Sequence, residues 1–449
     1  MNNFAVFGNP IAHSKSPDIF NYCFKKFNLS NISNNNSYRY TRIFADTINT
    51  LDYLRCQFNL KGANITAPFK NLMCKQCHSL TPQAKKINAV NTVLFSDQVN
   101  GDNTDIKGVI DSLKMYNIDL TDMKISVVGA GGAAAAVIQA VQTLNKNADI
   151  SIFNRSKEKF VSLSNIFSGI NCYSLTDFNN MVNGYDLIFI TIPEPYKHLE
   201  NIAFNKNTVL FFADYKNKEY IDYIKSYVNK VITGQYWLIN QAVPAFEKFT
   251  NMVLDDRSKN ELRQELFEII NKNNKINNIF LSGFSGSGKT TLAKIIAEKL
   301  GMEYVDLDTL IEQEYNMSIP NVFKKYGEEQ FRKTETDILS KLVKNNSKKI
   351  VSLGGGALEN TANCEIVKEN SFVVYLYSDL EVVKQRINFE TRPLLKKNQA
   401  DNLLLDFFEK RKFQYFKNSD LIFYNTGTTI ESLNHSSSIL CREINLLNL

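Results

Sequence analysis

The sequence predicts an α/β protein that carries two nucleotide-binding folds in series, the second on a parallel sheet. Three observations predict this. Nine of the 19 glycines fall in three clusters: Gly129, Gly131 and Gly132; Gly283, Gly286 and Gly288; Gly354, Gly355 and Gly356. Each cluster follows a short apolar run, and the first two open onto stretches with helical apolar spacing. Glycine concentrated at strand ends marks backbone that turns tightly or approaches a ligand closely.

A chain of 449 residues suits two or three domains of about 100 to 200 residues each. A composition 44% hydrophobic and 22% charged is that of a folded soluble protein. The net charge of +6 is spread among asparagines and apolar residues without a basic block, which argues against a nucleic-acid partner. The start, "MNNFAVFGNP", has no basic segment before a long apolar run, and no stretch reaches the roughly 18 apolar residues of a spanning helix. A cytoplasmic protein without a membrane partner is expected. Seven scattered cysteines fit free thiols in a reducing compartment. "CKQCH", Cys74 to His78, matches a haem-attachment pattern and half a zinc site, but two thiols and a polar residue on a helix is the favoured reading. A homodimer is admissible, and the sequence does not decide it.

The first hundred residues hold polar groups in apolar settings. "GNPIAHSKSP" puts Ser14 and Ser16 after a strand, able to bond a hydroxylated or carboxylated ligand; a turn and helix cap with Pro17 at the first helical position is the competing reading. "GANITAPFK" follows with Thr66 and Lys70, and "NAVNTVLFSDQVNGDNTDIKG" supplies Asn91, a hairpin, and Asp105 opening a helix. A lysine whose ammonium is held by a carboxylate can transfer a proton in carbonyl and alcohol interconversion.

"MKISVVGAGGAAAAVIQAVQTL" then gives a strand, Lys124 to Val128, a turn through Gly129, Ala130, Gly131, Gly132 and Ala133, and an alanine-rich helix, with Ala134 as the third small residue of a dinucleotide fingerprint. A second strand, "ADISIFNRSKEK", ends in Asn154, Arg155 and Ser156 where an NAD site would carry an acid; Arg155 therefore favours the phosphate of NADP. The polar run 271–278 reads as a linker.

"GFSGSGKTT" fits the phosphate-cradling pattern between the strand "INNIFLSG" and the helix "KTTLAKIIAEKLG". Backbone amides through Gly286, Ser287 and Gly288 would hold the phosphates of ATP, with Lys289 reaching the outer ones, Thr290 binding Mg2+ and Thr291 beside it. Asp306 and Asp308 follow at the end of a predicted strand, where alternate residues point to opposite faces, one toward the magnesium and one toward an acceptor hydroxyl. Two solvated acids at a turn is the alternative. Arg332, Gly354 to Gly356, Arg392 and Arg411 come next; each arginine alone reads as surface, but together they suit phosphoryl transfer to a small acid.

Taken in order, "GNPIAHSKSP", "NITAPFK", "NAVNT", "GDNTD", "GAGGAA", "NRS" and "NQAVPAF" resemble shikimate dehydrogenase over residues 1 to 268. The resemblance implies a substrate domain from residues 1–105 completed by 236–268, and a Rossmann NADP domain over 106–235. It further implies Lys70 as the proton-transferring residue, assisted by Asp105, with Ser14, Ser16, Thr66, Asn91, Tyr215 and Gln241 at the substrate. Departures fall near the nicotinamide: "ITIPEP" places Ile190 and Ile192 where polar residues are usual, and Tyr236, with Trp237 beside it, stands where a glycine is usual.

Residues 279 to about 425 resemble shikimate kinase through "GFSGSGKTT", "DLD", "GEEQFRKTE", "LGGG", "RPLL" and the arginine ahead of a tyrosine, which implies a kinase domain over 279–449. That resemblance implies that Asp308, Arg332, the triple glycine and Arg411 hold shikimate, that Thr290 and Asp306 serve magnesium, and that Arg392 covers ATP. The two activities would be consecutive: NADPH-dependent reduction of 3-dehydroshikimate, then MgATP-dependent phosphorylation of shikimate, two steps of aromatic amino-acid biosynthesis. The alternatives are a kinase whose first half only binds shikimate or regulates, and a nucleotide switch or RNA-binding protein.

Overall fold

The computed structural model describes residues 2–30, 37–193, 199, 202–215, 218–272, 275–344, 347–369, 371–387, 401–427 and 429–447. Its strands, in chain order, are β1 (Asn2–Gly8), β2 (Tyr38–Phe44), β3 (Leu60–Ile65), β4 (Ser79–Leu80), β5 (Thr92–Phe95), β6 (Val99–Asp102), β7 (Lys124–Val128), β8 (Asp149–Asn154), β9 (Ile170–Ser174), β10 (Leu187–Ile190), β11 (Val209–Phe212), β12 (Lys230–Ile232), β13 (Asn278–Ser282), β14 (Glu303–Asp306), β15 (Lys349–Ser352), β16 (Ser371–Tyr377) and β17 (Leu421–Tyr424). The chain divides into two compact bodies. One comprises residues 18–32 and 61–272; the other comprises 1–17, 33–60 and 273–449.

The body of 18–32 and 61–272 contains the all-parallel sheet β12-β11-β10-β7-β8-β9. Counted from β7, the order is 6-5-4-1-2-3, that of a doubly wound dinucleotide fold. Its central strands are apolar at nearly every position because helices cover both faces. Ile125, Val127, Ile150, Ile152, Leu187 and Phe189 pack on one side, and Val128, Phe153, Ile188, Ile190 and Phe212 on the other. The helix Gly132–Leu144 can lie flat against this sheet because its inner face is largely alanine. Strands β5 and β6 form the expected antiparallel hairpin, and β5 also pairs antiparallel with β3.

In the other body the parallel order is β14-β15-β13-β16-β17-β2-β1. The helix Lys289–Leu300 buries Leu292, Ala293, Ile296 and Ala297, one apolar stripe, and stops at Gly301 in the left-handed region (φ 64°). The stretch Ile319–Lys344 is two helical segments that meet at Gly327 (φ 78°, ψ 175°), a conformation a β-carbon would strain. The C-terminal parallel sheet continues through β2 and β1 of the chain's first segment, with Leu421 opposite Arg42 and Ile422 opposite Ile43. Phe44 stacks on Phe423 with ring centroids 5.4 Å apart.

Among the described residues no helix is long and apolar enough to cross a membrane, and no group of three or more His, Cys, Asp or Glu is arranged to hold a metal ion. Of "CKQCH", only Cys74 lies within the helix Lys70–Gln76; Cys77 caps it, and His78 lies past it, its Nδ1 accepting the Val99 N–H at 3.0 Å, so the segment is not helical throughout as expected.

Candidate active sites

In the body of 18–32 and 61–272, strand β3 delivers the chain to Thr66, whose carbonyl accepts the Phe69 N–H at 2.9 Å and closes the turn that starts the helix at Lys70. Lys70 Nζ donates to Asp105 Oδ2 at 2.7 Å. Asp105 opens the helix Asp105–Met115, and its backbone N–H is held by Asn103 Oδ1 at 3.1 Å. The lysine keeps 20% of its side-chain surface and the aspartate 10%. The pair is thus sheltered enough for its charges to matter, yet open on one side to a ligand.

Asn91 sits beside it. Its Oδ1 accepts the Thr104 N–H at 2.7 Å, and its amide nitrogen faces Gln241 Oε1 at 3.4 Å. Thr104 Oγ1 reaches the same Gln241 oxygen at 3.2 Å. Lys70, Asn91, Asp105 and Gln241 therefore lie together, a grouping that only the family resemblance had implied, with Thr66 at the head of the lysine's turn. Thr104, quoted within "GDNTD" but given no role, is a member that sequence reasoning missed. Its place between Asn91 and Gln241 comes from the hairpin, which the sequence could not measure. Tyr215 lies half-buried in the loop after β11.

The glycine turn closes on this group. Gly129 has φ 117°, and a β-carbon there would stand 2.4 Å from Thr191 Oγ1. One on Gly132 would lie 3.7 Å from Lys70 Cδ, whereas Gly131 faces open space. The first turn of a helix N-terminus, suited to a pyrophosphate, is thus a van der Waals contact away from the lysine stem. At the end of β8, Asn154 Nδ2 bonds the Ser156 carbonyl at 3.1 Å, and Arg155 is exposed. The Ser156 hydroxyl donates to Glu158 Oε2. Trp237 is structural: its Nε1 donates to the Asp105 carbonyl at 3.1 Å, and its ring packs where Gly108 leaves room.

In the other body, Ser14 and Ser16 are buried with their hydroxyl oxygens 3.3 Å apart at the start of the helix Ser16–Lys26. The phosphate-type loop runs from β13 into the helix at Lys289, with Gly283, Gly286 and Gly288 all at positive φ (144°, 83° and 93°). Lys289 Nζ folds onto the carbonyls of Gly283 and Phe284, each at 2.9 Å, and the buried Ser287 Oγ has no hydrogen-bond partner among the described residues. Thr290 Oγ1 donates to Asp306 Oδ2 at 3.0 Å, while Thr291 is exposed on the next helical position. Two hard oxygen donors meeting beside the loop fit a magnesium ion that takes its remaining ligands from phosphate and water.

Asp308 departs from its expected local structure. Asp306 ends β14 and caps the next helix, accepting the Thr309 N–H at 3.3 Å, so Asp308 lies in the first turn of the helix Leu307–Tyr315. The two carboxylates are still separated, by helical rotation and not by strand alternation. A β-carbon on Gly354 would stand 2.7 Å from Asp308 Oδ1, and one on Gly356 would stand 2.4 Å from Arg332 Nη2 and 2.9 Å from Arg411 Nη2. The triple glycine is therefore a floor on which Asp308 and two guanidinium groups converge.

The arginines are held from behind. Arg332 pairs with Glu335 at 2.8 Å on the same helical face, and Asn363 Nδ2 donates to that carboxylate at 3.3 Å. Burial pushes the Glu335 carboxyl up, against the pull of Arg332. Arg411 pairs with Glu359 at 2.7 Å and lies over the Phe407 ring at 4.0 Å, with its Nε unpartnered among the described residues. The Tyr415 hydroxyl donates to the Gly355 carbonyl. Glu335 stood three residues after Arg332 in "GEEQFRKTE", a spacing that could have revealed it. Glu359 had no sequence signal. Arg386, also missed, lies against the loop, with Nη1 3.4 Å from the Gly286 carbonyl. Arg392 lies outside the described residues.

Comparison with known proteins finds both kinds of domain in the chain. Residues 285–440 match the family model of shikimate kinase, 6–93 that of the shikimate dehydrogenase substrate binding domain, and 112–214 that of shikimate / quinate 5-dehydrogenase. The shikimate kinase of Caldicellulosiruptor bescii is 37% identical over 144 residues, which cover 32% of this chain and 83% of that protein. That of Bacillus subtilis is 40% identical over 149 residues, covering 32% and 78%. Among solved structures, shikimate dehydrogenase from Aquifex aeolicus is 25% identical with a TM-score of 0.50, covering 58% of this chain and 97% of its own. A chorismate mutase/shikimate 5-dehydrogenase fusion protein from Clostridium acetobutylicum shares the fold at a TM-score of 0.51 and 23% identity, covering 61% and 99%. The chain is thus an enzyme that belongs to the shikimate kinase family through its C-terminal part and carries shikimate dehydrogenase domains ahead of it.

Proposed function

We propose that the chain catalyses two consecutive reactions in the cytoplasm: NADPH-dependent reduction of 3-dehydroshikimate to shikimate, and MgATP-dependent phosphorylation of shikimate at its 3-hydroxyl. Residues 1–105 with 236–268 are assigned to the first substrate, 106–235 to NADP, 271–278 to a linker and 279–449 to the kinase. The observation that carries the reading is the Lys70–Asp105 pair, 2.7 Å apart and packed against the dinucleotide turn at Gly132.

NADPH supplies the hydride. Lys70 gives a proton to the carbonyl oxygen as it gains charge, and Asp105 keeps the ammonium aimed and stabilises it before transfer. Asn91 and Gln241, locked to each other through Thr104, orient substrate hydroxyls, and Thr66, Ser14 and Ser16 are assigned to the same ligand. Arg155 discriminates for the 2′-phosphate.

In the second reaction Asp308 accepts the hydrogen bond of the attacking hydroxyl, while Arg332 and Arg411 fork onto the acceptor's carboxylate above the bare glycine floor. Lys289, released from its loop carbonyls, moves to the terminal phosphate. Thr290 and Asp306 would hold magnesium, which neutralises phosphate charge. Arg392 is assigned to the same phosphates. One coupled assay tests the whole reading: purified chain with 3-dehydroshikimate, NADPH and ATP should oxidise NADPH and yield shikimate 3-phosphate. NADPH oxidation that needs no 3-dehydroshikimate, or phosphorylation that ignores shikimate, overturns it.

A further inference from the structure

The kinase segment reaches into the dehydrogenase segment at one buried carboxylate. Glu443, on the last helix Ile430–Asn445, is fully buried, and its Oε2 accepts the backbone N–H groups of Ile11 and Ala12, both at 2.8 Å. The Ile11 carbonyl in turn accepts the Ser14 N–H at 2.9 Å, and Ser14 Oγ accepts the Ser16 N–H at 3.3 Å. Beside Glu443, Arg442 bonds Asn9 Oδ1 at 2.5 Å. From the other side, Arg42 donates to the Ser14 carbonyl at 2.9 Å through Nε and to the Asp420 carbonyl, at the foot of β17, at 3.2 Å. These bonds tie the loop Asn9–Ser14 to the last helix and, through Arg42, to β2 and the foot of β17.

A carboxylate taken wholly out of water is costly unless its bonds are strong, and two N–H groups on one charged oxygen form such a bond. We propose that Glu443 is a positioning residue of the dehydrogenase reaction, supplied by the kinase segment, which fixes the loop that presents Ser14 and Ser16 to shikimate. The inference rests on the dehydrogenase reading above. It makes the kinase segment's last helix part of the apparatus by which the first reaction recognises its substrate.

The test uses the full chain and its Glu443→Gln and Glu443→Ala variants, with shikimate oxidation by NADP and shikimate phosphorylation measured on the same preparation. Gln keeps the shape and an acceptor oxygen but loses the charge. The expected result is a KM for shikimate in the oxidation raised about threefold in E443Q and about tenfold in E443A, the scale of a weakened and a lost charge-assisted bond. The kcat and the KM for NADP should stay within about twofold, and both kinase constants should be unchanged. An unaltered shikimate KM in both variants, with wild-type chain active, overturns this inference alone. A joint fall of both activities in both variants overturns it as well, because it reports general loss of folding. Failure of the wild-type chain to reduce NADP with shikimate overturns the dehydrogenase reading and this inference together.

Discussion

Replacing Gly354 with alanine tests whether the glycine floor serves Asp308. Gly354 is not among the residues at positive φ, so its backbone accepts alanine and the perturbation is confined to one methyl group. That methyl would stand 2.7 Å from Asp308 Oδ1 and 3.2 Å from Glu335 Oε1, whereas ordinary contact begins at 3.4 Å. Glu335 is buried and tied to Arg332 and Asn363, so the half-buried Asp308 is the group that gives way, by roughly 0.7 Å if the relief is direct. A catalytic group misplaced by about 1 Å can cost on the order of 100-fold in rate. We therefore expect kcat for shikimate phosphorylation to fall by about 30- to 100-fold in G354A, with a smaller effect on the KM for ATP. Steady-state kinetics with a coupled ADP assay reads this directly, and dehydrogenase activity of the same sample controls for folding. Retention of kinase kcat within about threefold would refute the assignment of Asp308 to the attacking hydroxyl.

Lys70→Ala should lower kcat/KM for shikimate oxidation by about 10²- to 10⁴-fold, the usual worth of a general acid or base, without changing the kinase constants. A dehydrogenase rate near wild type in that variant would remove Lys70 from the mechanism. Lys289→Ala should reduce phosphorylation by at least about 100-fold while NADP reduction persists, read by following both products in one vessel. Asp102 offers a test of pH dependence. Burial opposes its charge, but the Lys248 ammonium at 2.8 Å and hydrogen bonds from Thr81 and the Asn103 N–H outweigh this and hold the carboxyl below its ordinary value. A depressed folded pKa stabilises above the unfolded pKa, so Asp102→Asn should cost up to about 1 kcal/mol near neutrality, and the gap from wild type in thermal melts should close as pH falls below about 4. A gap that stays constant down to pH 2 would contradict this origin.

What the sequence could express was local. The glycine turns at 129–132 and 283–288 each follow a strand whose apolar run fits a sheet buried on both faces, so both could be placed from pattern alone. Lys70 and Asp105 were legible as chemistry but not as a pair, because they stand 35 positions apart and the chain between them folds through a hairpin whose register no local pattern fixes. Asp308 was placed on a strand because "EYVDLD" alternates, yet the capping power of Asp306 starts the helix at Leu307, before that alternation ends. Glu359 and Glu443 were invisible, since an acid behind an arginine or over two backbone amides is chosen by packing from distant segments. The pairing of β17 with β2 lies beyond sequence reading for the same reason: Arg42 and Asp420 stand 378 positions apart.

That pairing bears on how the chain can be divided. A parallel strand with Leu421, Ile422 and Phe423 in its run is a template for any free strand that meets it, and soluble proteins cover or charge such edges. Here the cover is β2, from the opposite end of the polypeptide. Cutting at the polar run 271–278 would yield a C-terminal fragment with its full set of phosphate-handling residues and a sticky flank, prone to associate with itself. Joining the two halves in one chain thus keeps β2 beside the last strand and covers an edge that the C-terminal fragment would leave open.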